Sequence, residues 1–175
     1  GSEMCIRDRC AIGYTREPEL VFGFGGTIEY KGFDLSAYFT GAARTSTFFE
    51  DRTFWPFASG MGFFNVFKEI YDNRWTPETA GAAKYPVVTD GFNVQSMRRS
   101  TVWQKDASYL RLKNLEVGYT LPKKVVSKLK INNLRVFVNG TNLYTWDKIN
   151  HTIDPESDNW YPIQRAVNFG LAVDF

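Results

Sequence analysis

Cysteine, histidine and long apolar runs are what this 175-residue chain has least of. Both cysteines, Cys5 and Cys10, fall within the first ten residues, and His151 is the one histidine. That leaves no disulfide framework and no Cys/His zinc spacing. It also leaves no Cys–His pair and no G-x-S-x-G elbow for covalent catalysis, so an enzyme is not expected. Neither charge sign dominates: 21 Lys+Arg stand against 19 Asp+Glu. A nucleic-acid surface needs a clustered basic excess, and none is present. No window holds about 18 uninterrupted apolar residues, which excludes a transmembrane helix. A membrane strand needs only about ten alternating residues, so it stays open.

What is abundant is aromatic: 15 Phe, 9 Tyr and 5 Trp make up 17% of the chain, alongside 14 Gly. The opening GSEMCIRDRC, residues 1–10, matches nothing downstream and has no apolar core of a signal peptide. It is set apart as non-native or adapter-derived sequence, and residues 11–175 are read as the folded segment.

From Leu20 the period is two. Leu20, Phe22, Phe24, Ile28 and Tyr30 fall on one face, and Gly23, Gly25, Thr27, Glu29 and Lys31 on the other. Lys31 and Gly32 make a hairpin turn, after which Phe33, Leu35, Ala37 and Phe39 alternate with Asp34, Ser36, Tyr38 and Thr40. A third strand is expected from Ser108 to Leu121, where the apolar parity changes between Leu112 and Leu115, so a bulge near Asn114 is predicted. A fourth runs from Leu134 to about Tyr144, with Phe137 breaking the alternation. In the last, Val167, Phe169, Leu171, Val173 and Phe175 alternate with Asn168, Gly170, Ala172 and Asp174. Between them, residues 43 to about 106 have no sustained period beyond a short helix within Asn65 to Asn73.

Alternation suits a soluble sandwich as well as a membrane barrel. Three features favour the barrel: strands near the ~9–11 residues of a tilted membrane strand, connections alternating short and long, and aromatics near strand ends. The expected fold is all-β: an antiparallel transmembrane β-barrel segment of about five strands with long extracellular loops.

Few residues offer chemistry. Gly23, Gly25 and Gly26 lack the following helix and Lys-Ser/Thr of a phosphate loop. Asp154, Glu156 and Asp158 are hard-cation ligands in type, but their spacing lacks the EF-hand glycine and reads as a solvated loop. No metal and no cofactor are expected. Trp55, Trp75, Trp103, Trp146 and Trp160 are the ligand candidates, since flat rings with a polar edge stack on sugars or on a protein lid. The competing reading packs them into the loops or the interfacial girdle.

Five blocks carry a resemblance: YKGFDLS from Tyr30, NRWTPE from Asn73, DASYLRLKNLEVGYTLP from Asp106 to Pro122, LRVFVNGTNLYTW from Leu134 to Trp146, and the closing FGLAVDF. In this order and spacing they resemble the C-terminal end of the SusC/RagA class of TonB-linked (TonB-dependent) outer-membrane proteins. The third and fourth blocks are the specific ones. The resemblance implies a large plugged barrel in the bacterial outer membrane that imports oligosaccharides or peptides. It implies a SusD-like surface lipoprotein as lid and the TonB complex, engaged through a region absent from this chain. It also implies an assembly signal for the outer-membrane insertion machinery in Phe169, Leu171, Val173 and Phe175. The alternatives are another outer-membrane barrel (a porin or adhesin) or a secreted carbohydrate-binding β-sandwich.

Overall fold

The computed structural model describes residues 12–50, 54–57, 66–91, 93–127, 131–149, 153–156 and 163–175. The elements in chain order are β1 (Leu20–Tyr30), β2 (Phe33–Ala43), β3 (Ser46–Phe48), α1 (Lys68–Asp72), β4 (Gln104–Asp106), β5 (Tyr109–Thr120), α2 (Lys123–Val126), β6 (Asn133–Asp147) and β7 (Ala166–Asp174). They fall into two compact units. One comprises Glu17–Thr45 and Ala107–Phe175; the other takes in Ser46–Asp106 together with the described residues before Glu17.

The first unit is a five-stranded sheet in the order β1-β2-β5-β6-β7, antiparallel at every step. The β1–β2 turn needs two successive positive φ values, supplied by Lys31 at 48° and Gly32 at 88°. That backbone matches the right-handed twist of the flanking strands and fixes Tyr30 opposite Phe33. Pro122 sits just before α2, where its missing N–H costs nothing.

Register then decides which residues share a face. Phe24 pairs with Phe39, Phe39 with Leu112, and Leu112 with Tyr144. Lower down, Ile28 pairs with Leu35, Leu35 with Val117, Val117 with Val138, and Val138 with Phe169. One face is therefore apolar across all five strands, and it is open: Phe169 is 82% exposed. The bulge expected near Asn114 is present. Lys113 has no register partner on β2, and on β6 Asn142 and Leu143 together stand opposite it. Asn142 takes a φ of 53°, a conformation that asparagine tolerates better than most residues. One extra residue on β5 reverses its parity, while β6 carries two more than β2 and keeps its own.

Phe137, the residue that broke the alternation, lies on the opposite face between its pairing partners Gly118 and Gly170. A Cβ at Gly170 would collide with its ring, so this glycine makes the room that the phenyl fills.

The second unit corrects the reading of residues 43–106 as irregular connection. Beyond β3 paired with β4, and α1 inside the expected helical stretch, it has an aromatic core. Phe49 stacks on Phe54 at 4.6 Å, Phe54 on Phe67 at 5.6 Å, and Tyr85 tilts against Trp103 at 5.7 Å. Ring stacking between distant residues leaves no period in the sequence, which is why alternation could not reveal it.

Candidate functional site

The polar face of the sheet concentrates the chemistry. Near the β1–β2 turn, Arg135 on β6 reaches past β5 to Asp34 on β2, donating from Nε to Oδ1 at 3.1 Å and from Nη2 to Oδ2. The same Nη2 donates to Glu116 on β5 at 2.7 Å. The reach is possible because Gly118 lies beneath it: a Cβ there would stand 2.5 Å from Arg135 Nη2 and from both Asp34 carboxylate oxygens. Asn139 Nδ2 donates to Glu116 at 3.4 Å, and Asn168 Nδ2 on β7 donates to Asn139 Oδ1 at 3.0 Å. On the other flank Thr27 Oγ1 donates to Ser36 Oγ at 3.2 Å. Hydrogen bonds thus link neighbouring positions from β1 to β7, and Asp34, Glu116 and Arg135 are paired with one another.

At the other end of the same face stands Arg111, only 1% exposed. Its Nη2 meets Asp154 Oδ1 at 2.6 Å and its Nη1 meets Glu156 Oε2 at 3.1 Å. Lys113, the bulge residue, adds a 3.6 Å ion pair to Glu156. The Glu156 N–H donates back to Asp154 Oδ1 at 2.9 Å, closing the segment into a small loop over the guanidinium. The two carboxylates considered as cation ligands are thereby engaged by arginine and lysine, while Asp158 lies outside the described residues. Beside them opens a cleft of about 590 Å³ whose walls include Arg111, Asn142, Thr145, Asp147, Asp154 and Arg165. Polar groups of both signs line it, a surface suited to a solute carrying both donors and acceptors. Among the described residues no three His, Cys, Asp or Glu side chains form a metal cluster.

The tryptophans do not gather into one place. Trp103 is buried in the core of the second unit, its Nε1 donating to the Ser96 carbonyl at 2.7 Å. Trp55 is half-buried in the same unit, and Trp75 is exposed there, held by its backbone N–H on the Tyr85 carbonyl at 2.9 Å. Trp146 stands inside β6 rather than in a loop, on the apolar face, 4.7 Å from Tyr144 and 6.4 Å from Phe39 between ring centres. Trp160 and His151 lie outside the described residues, as do Cys5, Cys10 and residues 1–10. Phe169, Leu171 and Val173 share the apolar face of β7, with the exposed Phe175 following.

Arg111, Glu116 and Arg135 were missed as site residues. Their signal was there: charged side chains at the polar parity of strands whose other parity is continuously apolar. Reading it required the pairing register, which shows that Arg135 and Asp34 meet although β5 runs between their strands.

In the second unit Tyr85 is a strongly perturbed titratable group. Tyr85, 4% exposed, donates to Glu69 Oε1 at 3.1 Å and accepts from Lys105 Nζ at 3.1 Å. Burial first, and then the Glu69 charge, push its phenol up to about 12.

No protein-family profile matches the chain. Two proteins of Formosa agariphila do: TonB-dependent receptor P26, 30% identical over 90% of this chain and 17% of its own length, and TonB-dependent receptor P3, 28% identical over 99% of this chain and 16% of its own. Among solved structures, the RagAB peptide importer in its open-open state superposes with a TM-score of 0.67 at 27% identity, covering 93% of this chain and 18% of that one. Its closed-closed state gives 0.71 at 27% identity, over 94% and 18%. The chain thus spans about a sixth of the relatives that it matches. It is a homologue of the TonB-dependent receptors, and its place is the bacterial outer membrane.

Proposed function

We propose that this chain forms part of the barrel wall, and two external connections, of a TonB-dependent importer of oligomeric nutrients. The observation that carries the reading is the five-strand apolar face backed by a hydrogen-bonded polar face. A soluble sandwich buries such a face against a second sheet, and lipid replaces that sheet here. Eleven residues in β1 rise about 36 Å along the strand, and a tilt near 45° brings that to about 25 Å, the height of an outer-membrane apolar band. Tyr30, Phe33 and Tyr119 belong to one margin of that band; Phe22, Tyr144 and Trp146 belong to the other.

β1 and β7 run in the same direction, since an antiparallel sheet alternates and these are its first and fifth strands. An antiparallel barrel needs an even number of strands, so closure calls on further strands beyond these five. Both long connections, 44–108 and 148–165, leave from one end of the sheet; both short ones, 31–32 and 121–132, from the other. The long ones are taken as external, where they meet substrate and a SusD-like surface lipoprotein. The TonB complex would be engaged by a part of the receptor outside this chain, and the apolar side of β7, with Phe169, Leu171, Val173 and Phe175, is taken as the assembly signal. The chain has no catalytic role in this reading. Peptides and oligosaccharides both remain candidate cargo, and the likeness to a peptide importer supports the former.

The test is uptake. Disruption of the receptor carrying this chain should abolish accumulation of a labelled peptide or oligosaccharide pool, and collapsing the proton gradient in the intact strain should do the same. Uptake that survives the uncoupler marks a passive porin and refutes the importer.

A further inference from the structure

The charges of the sheet unit are unevenly satisfied. On the polar face and at the end bearing the long connections, Arg135, Arg111, Lys113 and Arg44 each meet a carboxylate. At the end bearing the short connections, Lys31, Lys123 and Lys124 are exposed, and among the described residues none lies within ion-pair distance of an acid. The acids near that end, Glu29, Asp34 and Asp174, lie at polar-face positions, where Asp34 is held by Arg135. What the lysines share their end with on the apolar face is aromatic. Lys31 Nζ stands 5.2 Å from the Tyr30 ring centre, and Phe33 packs on Tyr119 at 4.4 Å. The Gly32 carbonyl accepts from the Thr120 N–H at 2.7 Å, which fastens the Lys31 turn beside the segment leading into Lys123 and Lys124.

An unpaired basic rim above an aromatic belt suits one chemistry: a phosphate bearing acyl chains. Its charge meets the ammonium groups while its chains lie on the rings. We propose that Lys31, Lys123 and Lys124, with Tyr30, Phe33 and Tyr119, form a docking surface for anionic phospholipid headgroups of the inner leaflet. The inner leaflet is chosen because the long connections leave from the opposite end. The proposal rests on the barrel reading above.

The test is native mass spectrometry of the whole receptor in detergent, with phosphatidylglycerol, phosphatidylcholine and lipid A as separate probes. Phosphatidylglycerol adducts should exceed phosphatidylcholine adducts, and each lysine replaced (Lys31→Gln, Lys123→Gln, Lys124→Gln) should lower that preference about fivefold. Two results overturn the proposal: unchanged preference in the triple variant, or lipid A bound more strongly than phosphatidylglycerol through these same lysines. Failure of the barrel reading looks different. The receptor would then retain none of the three lipids and would lack the heat-dependent gel mobility of a folded barrel.

Discussion

Asp154→Asn is the sharpest perturbation available, because asparagine keeps the Oδ1 acceptor for the Glu156 N–H and removes only the charge. Arg111 is only 1% exposed, so its charge depends on what the 153–156 segment brings to it. Losing the 2.6 Å contact's charge leaves Glu156 at 3.1 Å as the remaining acid, and that side chain is 36% exposed and screened by solvent. Breaking a buried pair outright costs about 3–5 kcal/mol, and the surviving Glu156 offsets part of it, so about 2 kcal/mol is expected. Asp154→Asn combined with Glu156→Gln should approach the full cost. The loss is local: hydrogen exchange of the Asp154 and Glu156 amides in the whole receptor should accelerate about thirtyfold, while the amides of β5 and β6 below the bulge keep their protection. Placing Asp154→Asn in an Arg111→Met background supplies the control, since with no cation to serve the asparagine should cost almost nothing more. Exchange changed by less than threefold, or an equal cost in both backgrounds, refutes the account of Arg111 as the anchor of this segment.

Two further outcomes follow from the same reasoning. Gly118→Val should lower the urea midpoint of the folded receptor, by about 2 kcal/mol in stability, because its side chain displaces the Arg135 bridge to Asp34. The same valine should cost distinctly less when Asp34→Ser and Arg135→Met have already removed the bridge. In the second unit, the phenol of Tyr85 is pushed up to about 12 from an ordinary 10, so folding holds its proton more tightly. The sign is therefore a stabilisation fully present below pH 10 and lost as pH rises towards 12, worth up to about 3 kcal/mol. An ultraviolet difference titration of the wild-type chain against Tyr85→Phe checks this; a difference curve with its midpoint near 10 refutes it.

Much of the sheet was legible because strands with one apolar face obey a simple rule. β1 and β7 could be bounded to within a residue, since Phe22, Phe24, Ile28 and Tyr30 keep one parity with only Gly26 interrupting it, and Val167 to Val173 alternate strictly. The reversal in β5 located the bulge because one inserted residue moves every later side chain to the other face. The same logic is silent on β6, where two inserted residues cancel in parity, and the strand runs past its expected end near Tyr144 to Asp147. Phe137 was opaque for another reason: its place depends on Gly118 and Gly170 on neighbouring strands. What Arg111 binds, and the aromatic core around Trp103, left no mark in the sequence. Their partners, Asp154 in one case and Tyr85 in the other, are brought close only by folding.

The bulge has a geometric sequel. From β2 to β5 one residue is gained at Lys113, and from β5 to β6 one more at Asn142 and Leu143. Each gain shifts the strand above it by about 3.3 Å relative to its neighbour, so the two parts of the wall, above and below, carry unequal stagger. In a closed barrel, stagger, tilt and radius are tied together. In the barrel proposed above, this change of stagger would set a change of calibre at the height of Lys113, fixed by backbone register rather than by any side chain.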